Sequence, residues 1–252
     1  MINWREKFRA FAVHFLVTAA VGACAAALIF LVWFPQPLAT LIGGTGLFML
    51  VVGCDVVLGP LLSLVVYDSR KSRLALVVDY TFIGLAQLAT FFYGVYIVAG
   101  ARPVAVAFSK DRFEIVSARD IRDSELAAAR SPEYRTLPLT GPRYVSVIIS
   151  AEDYQDALFE ALKGNEEHQR PKFYQPFDTA LAQIRRHAAK VSDLERKFPA
   201  YAPALESAVR EAGLEPQAAR WLPVRHRAGF ATAIIDESTG RPLSYAAVDP
   251  YG

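Results

Sequence analysis

The chain has 252 residues, 53% of them hydrophobic, with a mean hydropathy of +0.24 and a formal net charge of +2. Six Lys/Arg and four Asp/Glu fall in residues 1–100, which leaves 21 of each kind in residues 101–252. An apolar first part and a charge-balanced second part exclude a basic field for nucleic acid, and about 150 residues suffice for one compact domain.

In chain order, the first apolar run covers residues 11–34 and ends in Trp33-Phe34-Pro35, an aromatic belt that reads as a retained membrane helix, not a cleaved leader. The second run covers 47–67 and the third 74–98. Each reaches the ~20 residues needed to cross ~30 Å of hydrocarbon. Arg5, Lys7 and Arg9 precede the first run, the Pro35–Gly46 loop is uncharged, and Arg70, Lys71 and Arg73 separate the second and third. This bias predicts a cytoplasmic N-terminus and three membrane crossings, which leave the later residues outside, in the periplasm if the cell is Gram-negative. The expected domains are a transmembrane part, 1–100, and a periplasmic part, 101–252. Cys24 and Cys54 lie inside apolar runs and read as small fillers; the second part has no cysteine, so it needs no disulfide and no thiolate metal site.

Asp55 stands near the middle of the second run, where a carboxylate costs roughly 2.5–3.5 kcal/mol on insertion scales. Counting ~1.5 Å per residue puts Gln87 at the depth of Asp55, and Asp79 at that of His14. Two polar layers inside the bundle are expected, either gluing its helices together or meeting a polar group of another protein's membrane helix. Pro60, after Gly59, frees the Val56 carbonyl and predicts a kink that opens a groove beside Asp55. Ala19, Gly22, Ala23 and Ala26 form a close-packing face. An intramembrane aspartyl protease would need two carboxylates sharing a proton. Asp55 and Asp79 are instead expected roughly 10 Å apart in depth, and Val52-Gly53-Cys54-Asp55 lacks the GxGD pattern of such enzymes.

Beyond residue 100, strands are predicted at 104–108, 112–117 and 144–149, with a closing hairpin at 231–236 and 243–248. Helices are predicted at 120–130, 151–162, 178–190, 192–197 and 203–212. That order argues an α+β soluble domain with an antiparallel sheet, following a three-helix transmembrane N-terminal bundle. His168, His187 and His226 are scattered, and no GxSxG, HExxH, P-loop or GxGxxG occurs, so no catalytic residue, metal or cofactor is expected. Arg185-Arg186 reads as a solvated helix face. Phe173, Tyr174 and Phe177 form an aromatic loop patch, a candidate for recognition or a set of core plugs.

Several strings then fall into one pattern: Trp33-Phe34-Pro35, Asp55-Val56-Val57-Leu58-Gly59-Pro60-Leu61-Leu62, Tyr93-Gly94, Ala101-Arg102-Pro103-Val104, Asp111-Arg112-Phe113, Tyr134-Arg135 and Leu137-Pro138-Leu139-Thr140-Gly141-Pro142. In their order and spacing the chain resembles the TfpX/TfpZ-type type IV pilin accessory proteins of Gram-negative bacteria. The resemblance implies an inner-membrane, chaperone-like protein that supports one pilin and is not an enzyme. It carries over no catalytic or binding residue. Its implied partner is the type IV major pilin, held before assembly by one N-terminal membrane helix with its head outside. The alternative is a small proton- or solute-coupled membrane component using Asp55, Asp79 and His14, although three spans are few for a transport path.

Overall fold

The computed structural model describes residues 4–68 and 70–252, with the backbone alone at Thr40, Gly44, Leu47, Leu50, Val51 and Cys54. Four helices lead the chain: α1 (Trp4–Ala27), α2 (Leu38–Leu41), α3 (Gly44–Val66) and α4 (Arg73–Ala101). A π-helical turn, Leu28–Trp33, prolongs α1. By their contacts the residues form two units, Met1–Phe34 with Gly43–Ala101, and Pro35–Ile42 with Arg102–Gly252.

In the first unit α1 and α4 each pack along α3 and hardly meet one another. Gly22 of α1 makes one approach possible, since a Cβ there would lie 2.7 Å from a Val52 methyl of α3. Helices Trp4–Trp33 and Arg73–Ala101 are each long and apolar enough to cross a membrane. Only 11% of either apolar stretch is buried within the protein, so neither is the core helix of a soluble fold. Three spans were expected, and the described residues support two. α3 has 23 residues, but its described apolar stretch, Asp55–Val66, is too short by itself. In the upper half of that run the side chains of Leu47, Leu50, Val51 and Cys54 lie outside the described ones, and with them the filler role expected for Cys54. Cys24 is exposed on α1.

The second unit is built on one sheet. β1 (Pro103–Ser109) and β2 (Arg112–Ser117) form the expected hairpin, turning at Lys110 with φ 59°. After α5 (Asp123–Ala127) come β3 (Arg143–Val147), α6 (Tyr154–Leu162), β4 (Tyr174–Pro176), α7 (Leu181–His187), β5 (Ala189–Lys190), α8 (Val191–Lys197) and α9 (Ala202–Glu211). Strands β6 (Arg220–His226), β7 (Gly229–Ile235) and β8 (Pro242–Ala246) close the chain. The order is β4-β3-β1-β2-β6-β7-β8, with β5 paired to β6.

The sheet is mixed, which corrects the antiparallel expectation. β3 runs parallel to β1, with Val106 opposite Tyr144, and β6 runs parallel to β2, with Phe113 opposite Val224. Only a tight hairpin obliges neighbours to be antiparallel; the long segments before β3 and β6 permit a crossover. β6 was not expected at all, because Pro223 cannot donate to a ladder and normally marks an edge. Here it sits within a strand flanked by β2 and β7.

Both sheet faces are covered. Val106, Phe108, Phe113, Leu222, Val224, Ala231 and Ile235 pack on one face with Ile184 of α7. Val104, Ala107, Val116 and Val145 pack on the other with Ile121, Ala129 and Tyr134. Ile234 and Ala246 meet Leu194 of α8 and Leu205 and Val209 of α9. The alternation of Val106 and Phe108 against Ala105 and Ala107 is the period-2 pattern of a strand buried on both sides. Pro35–Gly46, expected as a plain loop, carries α2, and Leu38 at 3% exposure joins the first cluster with Leu41 and Ile42 against it.

Candidate functional site

The polar groups of the first unit form a hydrogen-bonded chain across its three helices. Gln87 of α4 donates from Nε2 to the Asp55 carbonyl of α3, at 3.3 Å. The Gln87 Oε1 then accepts from His14 Nε2 of α1, at 2.8 Å. A ring carrying its proton on Nε2 leaves Nδ1 to accept from the Ser63 hydroxyl of α3, which is fully buried. Thr90 donates to Asp55 Oδ1 at 3.0 Å, and Asp55 Oδ2 is buried with no partner among the described residues.

The expected pairing of Asp55 with Gln87 is thus present, through the Asp55 backbone. His14 does not meet Asp79. It reaches Gln87 instead, while Asp79 takes Lys71 at 2.6 Å. Gln87 stands eight residues beyond Asp79, about 12 Å along α4, so Asp79 and Asp55 form no dyad. Gly59 and Pro60 are both buried. A Cβ on Gly59 would come within 1.9 Å of Gln87 Nε2, so the room expected for a partner beside Asp55 is filled by Gln87.

The open space lies elsewhere in this unit. Because α1 and α4 flank α3 without closing on one another, a cleft of about 720 Å³ remains, lined by Glu6, Arg9, Ala10, Val13, His14, Val17, Tyr67, Tyr80 and Gly84. Its walls are apolar with a few polar points, and a Cβ on Gly84 would meet nothing within 4 Å. The Tyr80 hydroxyl is buried without a partner among the described residues. Near its mouth, Lys7 Nζ donates to the last-turn carbonyl of Leu64 at 3.2 Å, and the Tyr67 hydroxyl donates to Glu6 at 3.5 Å. Lys71 Nζ likewise donates to the Val66 carbonyl at 3.1 Å. A cation on the exposed carbonyls of a helix end is favourable. These contacts bring the two basic clusters, Arg5–Arg9 and Arg70–Arg73, to the same end of the bundle. Ser63, Thr90, Tyr80 and Gly84 were passed over in the sequence. The signal was spacing: Tyr80, Gly84 and Gln87 stand at i, i+4 and i+7 of one helix face.

In the second unit the aromatic patch is no surface. Phe173 is 0% exposed, Tyr174 5% and Phe177 8%. Tyr174 donates to the His168 carbonyl, and Phe177 packs on Phe113 and Tyr144. The two readings of these rings resolve to core plugs, because β4 brings them onto the sheet. Four of this unit's exposed large apolar side chains stand together on α6; Leu139, Ile148, Leu243 and Tyr251 are exposed singly elsewhere. Among the described residues no group of three or more His, Cys, Asp or Glu stands together to hold a metal.

Comparison with known proteins gives a family. Residues 2–43 match the family model described as Fimbrial assembly protein FimB. The fimbrial assembly protein of serogroup I of Dichelobacter nodosus is 33% identical over 230 residues, covering 90% of this chain and 89% of that protein. The chain belongs to the fimbrial assembly protein family. The serogroup E1 protein of the same organism matches to the same extent, and the protein of serogroups C1 and C2 is 41% identical over 117 residues, 46% of this chain. No solved structure matches.

Proposed function

We propose that this fimbrial assembly protein holds a type IV fimbrial subunit in the inner membrane before assembly, as a chaperone and without chemistry of its own. The observation that carries the reading is the α1–α4 cleft, an apolar trough with polar points in a helical unit whose apolar sides are open. A single subunit helix is the occupant it suits, since membrane helices associate through close packing at small residues such as Ala10 and Gly84. His14, Gln87 and Asp55, with Gly59 beneath Gln87 and the buried Pro60 next to it in α3, hold the trough wall in register; Asp79 braces Lys71 at the end of the bundle. In this reading α3 also crosses the membrane, the N-terminus is cytoplasmic and residues 101–252 are periplasmic. The grouping of both basic clusters at one bundle end supports that orientation.

The test is co-purification of the host's major fimbrial subunit with the full chain from mild detergent. Gly84→Leu adds bulk to the trough lining from a Cβ that meets nothing within 4 Å. It is expected to lower the recovered subunit at least tenfold while the variant stays in the membrane at normal level. Undiminished recovery with both Gly84→Leu and Ala10→Phe would remove the trough from the account.

A further inference from the structure

α6 is turned inside out. Tyr154, Leu158, Phe159 and Leu162 are 63%, 51%, 61% and 78% exposed. At about 100° per residue these four share one broad arc, and Asp153, Asp156, Ala157 and Glu160 share the opposite one. It is the charged arc that faces the domain. Arg170, itself buried, donates to Asp156 at 2.9 Å and to Glu125 at 3.1 Å. Lys172 adds a bond to Asp156 at 2.6 Å and lies 3.4 Å from Asp153, which also takes Arg130 and the Ser150 hydroxyl. Glu160 pairs with Lys163 at 2.8 Å and approaches Arg122 at 3.8 Å. Lys172 and Arg170 hold the Asp156 carboxyl below the usual carboxylate range. These ion pairs fix which way the helix faces, so the outward apolar arc is no accident of a loose segment.

We infer that this arc of α6 is a reversible docking surface for an apolar patch on the head of an unassembled fimbrial subunit. The inference rests on the proposed function. Two features choose the occupant. First, the four side chains expose roughly 500 Å², taking 150–250 Å² for each large side chain in full. A stable pair of copies needs about 800 Å² per partner, so the arc is undersized for a permanent dimer and suited to a contact that is made and released. Second, the bases beside the helix, Arg122, Arg130, Arg170, Lys172 and Lys163, all stand in ion pairs with acids. The rim is balanced, without the free Lys/Arg that draw an interfacial helix to anionic lipid. An apolar centre with a neutral polar rim is the anatomy of a protein contact. A subunit awaiting assembly has surfaces that its neighbours will later cover, and a temporary cover must let go of them.

The experiment uses the full chain with Cys24→Ala, Cys54→Ala and Phe159→Cys, in membrane fragments open on both sides. Labelling by a water-soluble maleimide is compared with and without the co-expressed subunit. The expected result is rapid labelling of the chain alone and at least fivefold slower labelling with the subunit, while Gln217→Cys, off the helix, labels equally in both. Leu162→Cys, at the C-terminal end of the arc, serves where Phe159→Cys itself weakens the complex. Slow labelling without the subunit would overturn the inference in favour of lipid or a second copy. Fast labelling while the subunit still co-purifies would overturn it and leave the trough reading intact. Failure of the unaltered chain to retain any subunit would overturn both.

Discussion

Arg170 shows how much one side chain can decide. It is almost wholly buried, it bonds Glu125 and Asp156 together, and its guanidinium lies 5.0 Å over the Phe173 ring. Removing one partner of a buried ion pair leaves an uncompensated charge at a cost of about 3–5 kcal/mol. Arg170→Met is therefore expected to destabilise the second unit by about that amount, because Glu125 stays buried with the Asn165 amide as its one remaining side-chain hydrogen-bond partner among the described residues. Chemical unfolding of the full chain in detergent, followed by tryptophan fluorescence, measures it; a change below about 1 kcal/mol would show that α6 is held by something else. None of this was legible beforehand. Arg170 reads in the sequence as one more surface base, since its partners lie 14 and 45 positions away.

At the scale of elements, the helices and strands that follow local rules were readable. The β1–β2 hairpin and the closing β7–β8 pair announce themselves by alternation around turn residues. Elements defined by distant neighbours were not. β6 contains Pro223, and β4 and β5 take their shape from the strands beside them. The apolar arc of α6 looks like any core-facing stripe, because periodicity gives a helix's two faces and not which one is turned inward. α2 is the same lesson in miniature: four residues between two apolar runs, without any charge to mark them, supply Leu38 to the sheet core. Leu38→Ala is expected to cost about 2–5 kcal/mol, the range for truncating a buried leucine. A lowered unfolding temperature of the detergent-solubilised chain is the readout, and an unchanged one would detach α2 from the domain.

For the whole molecule, the two contact units follow the change of composition near residue 100, except that Pro35–Ile42 goes with the later residues. The exact partners of the bundle's polar residues were not legible: depth counting pairs residues by height and is blind to which helix faces which, so it paired His14 with Asp79 where the fold pairs it with Gln87. The crossing number has a direct test. With α1 and α4 alone in the membrane, the second unit would return to the side of the N-terminus; with α3 as well, it lies opposite. In spheroplasts of the cysteine-free chain, Gln217→Cys is expected to react with an impermeant maleimide and Ser72→Cys to stay protected. The reverse pattern would mean two crossings or an inverted insertion.

The short α2 segment carries a consequence in time. Leu38 shares its cluster with Leu222, Val224, Ala231 and Ile235, nearly two hundred positions later in the chain. At roughly 5–20 residues per second, a ribosome needs about 10–40 s to make that stretch. For that interval Leu38, Leu41 and Ile42 have only the partial cover of β1, β2 and the Phe177–Ile184 stretch. Synthesis that stops before β6 leaves that cover incomplete, so a truncated copy advertises itself by its own first hundred residues.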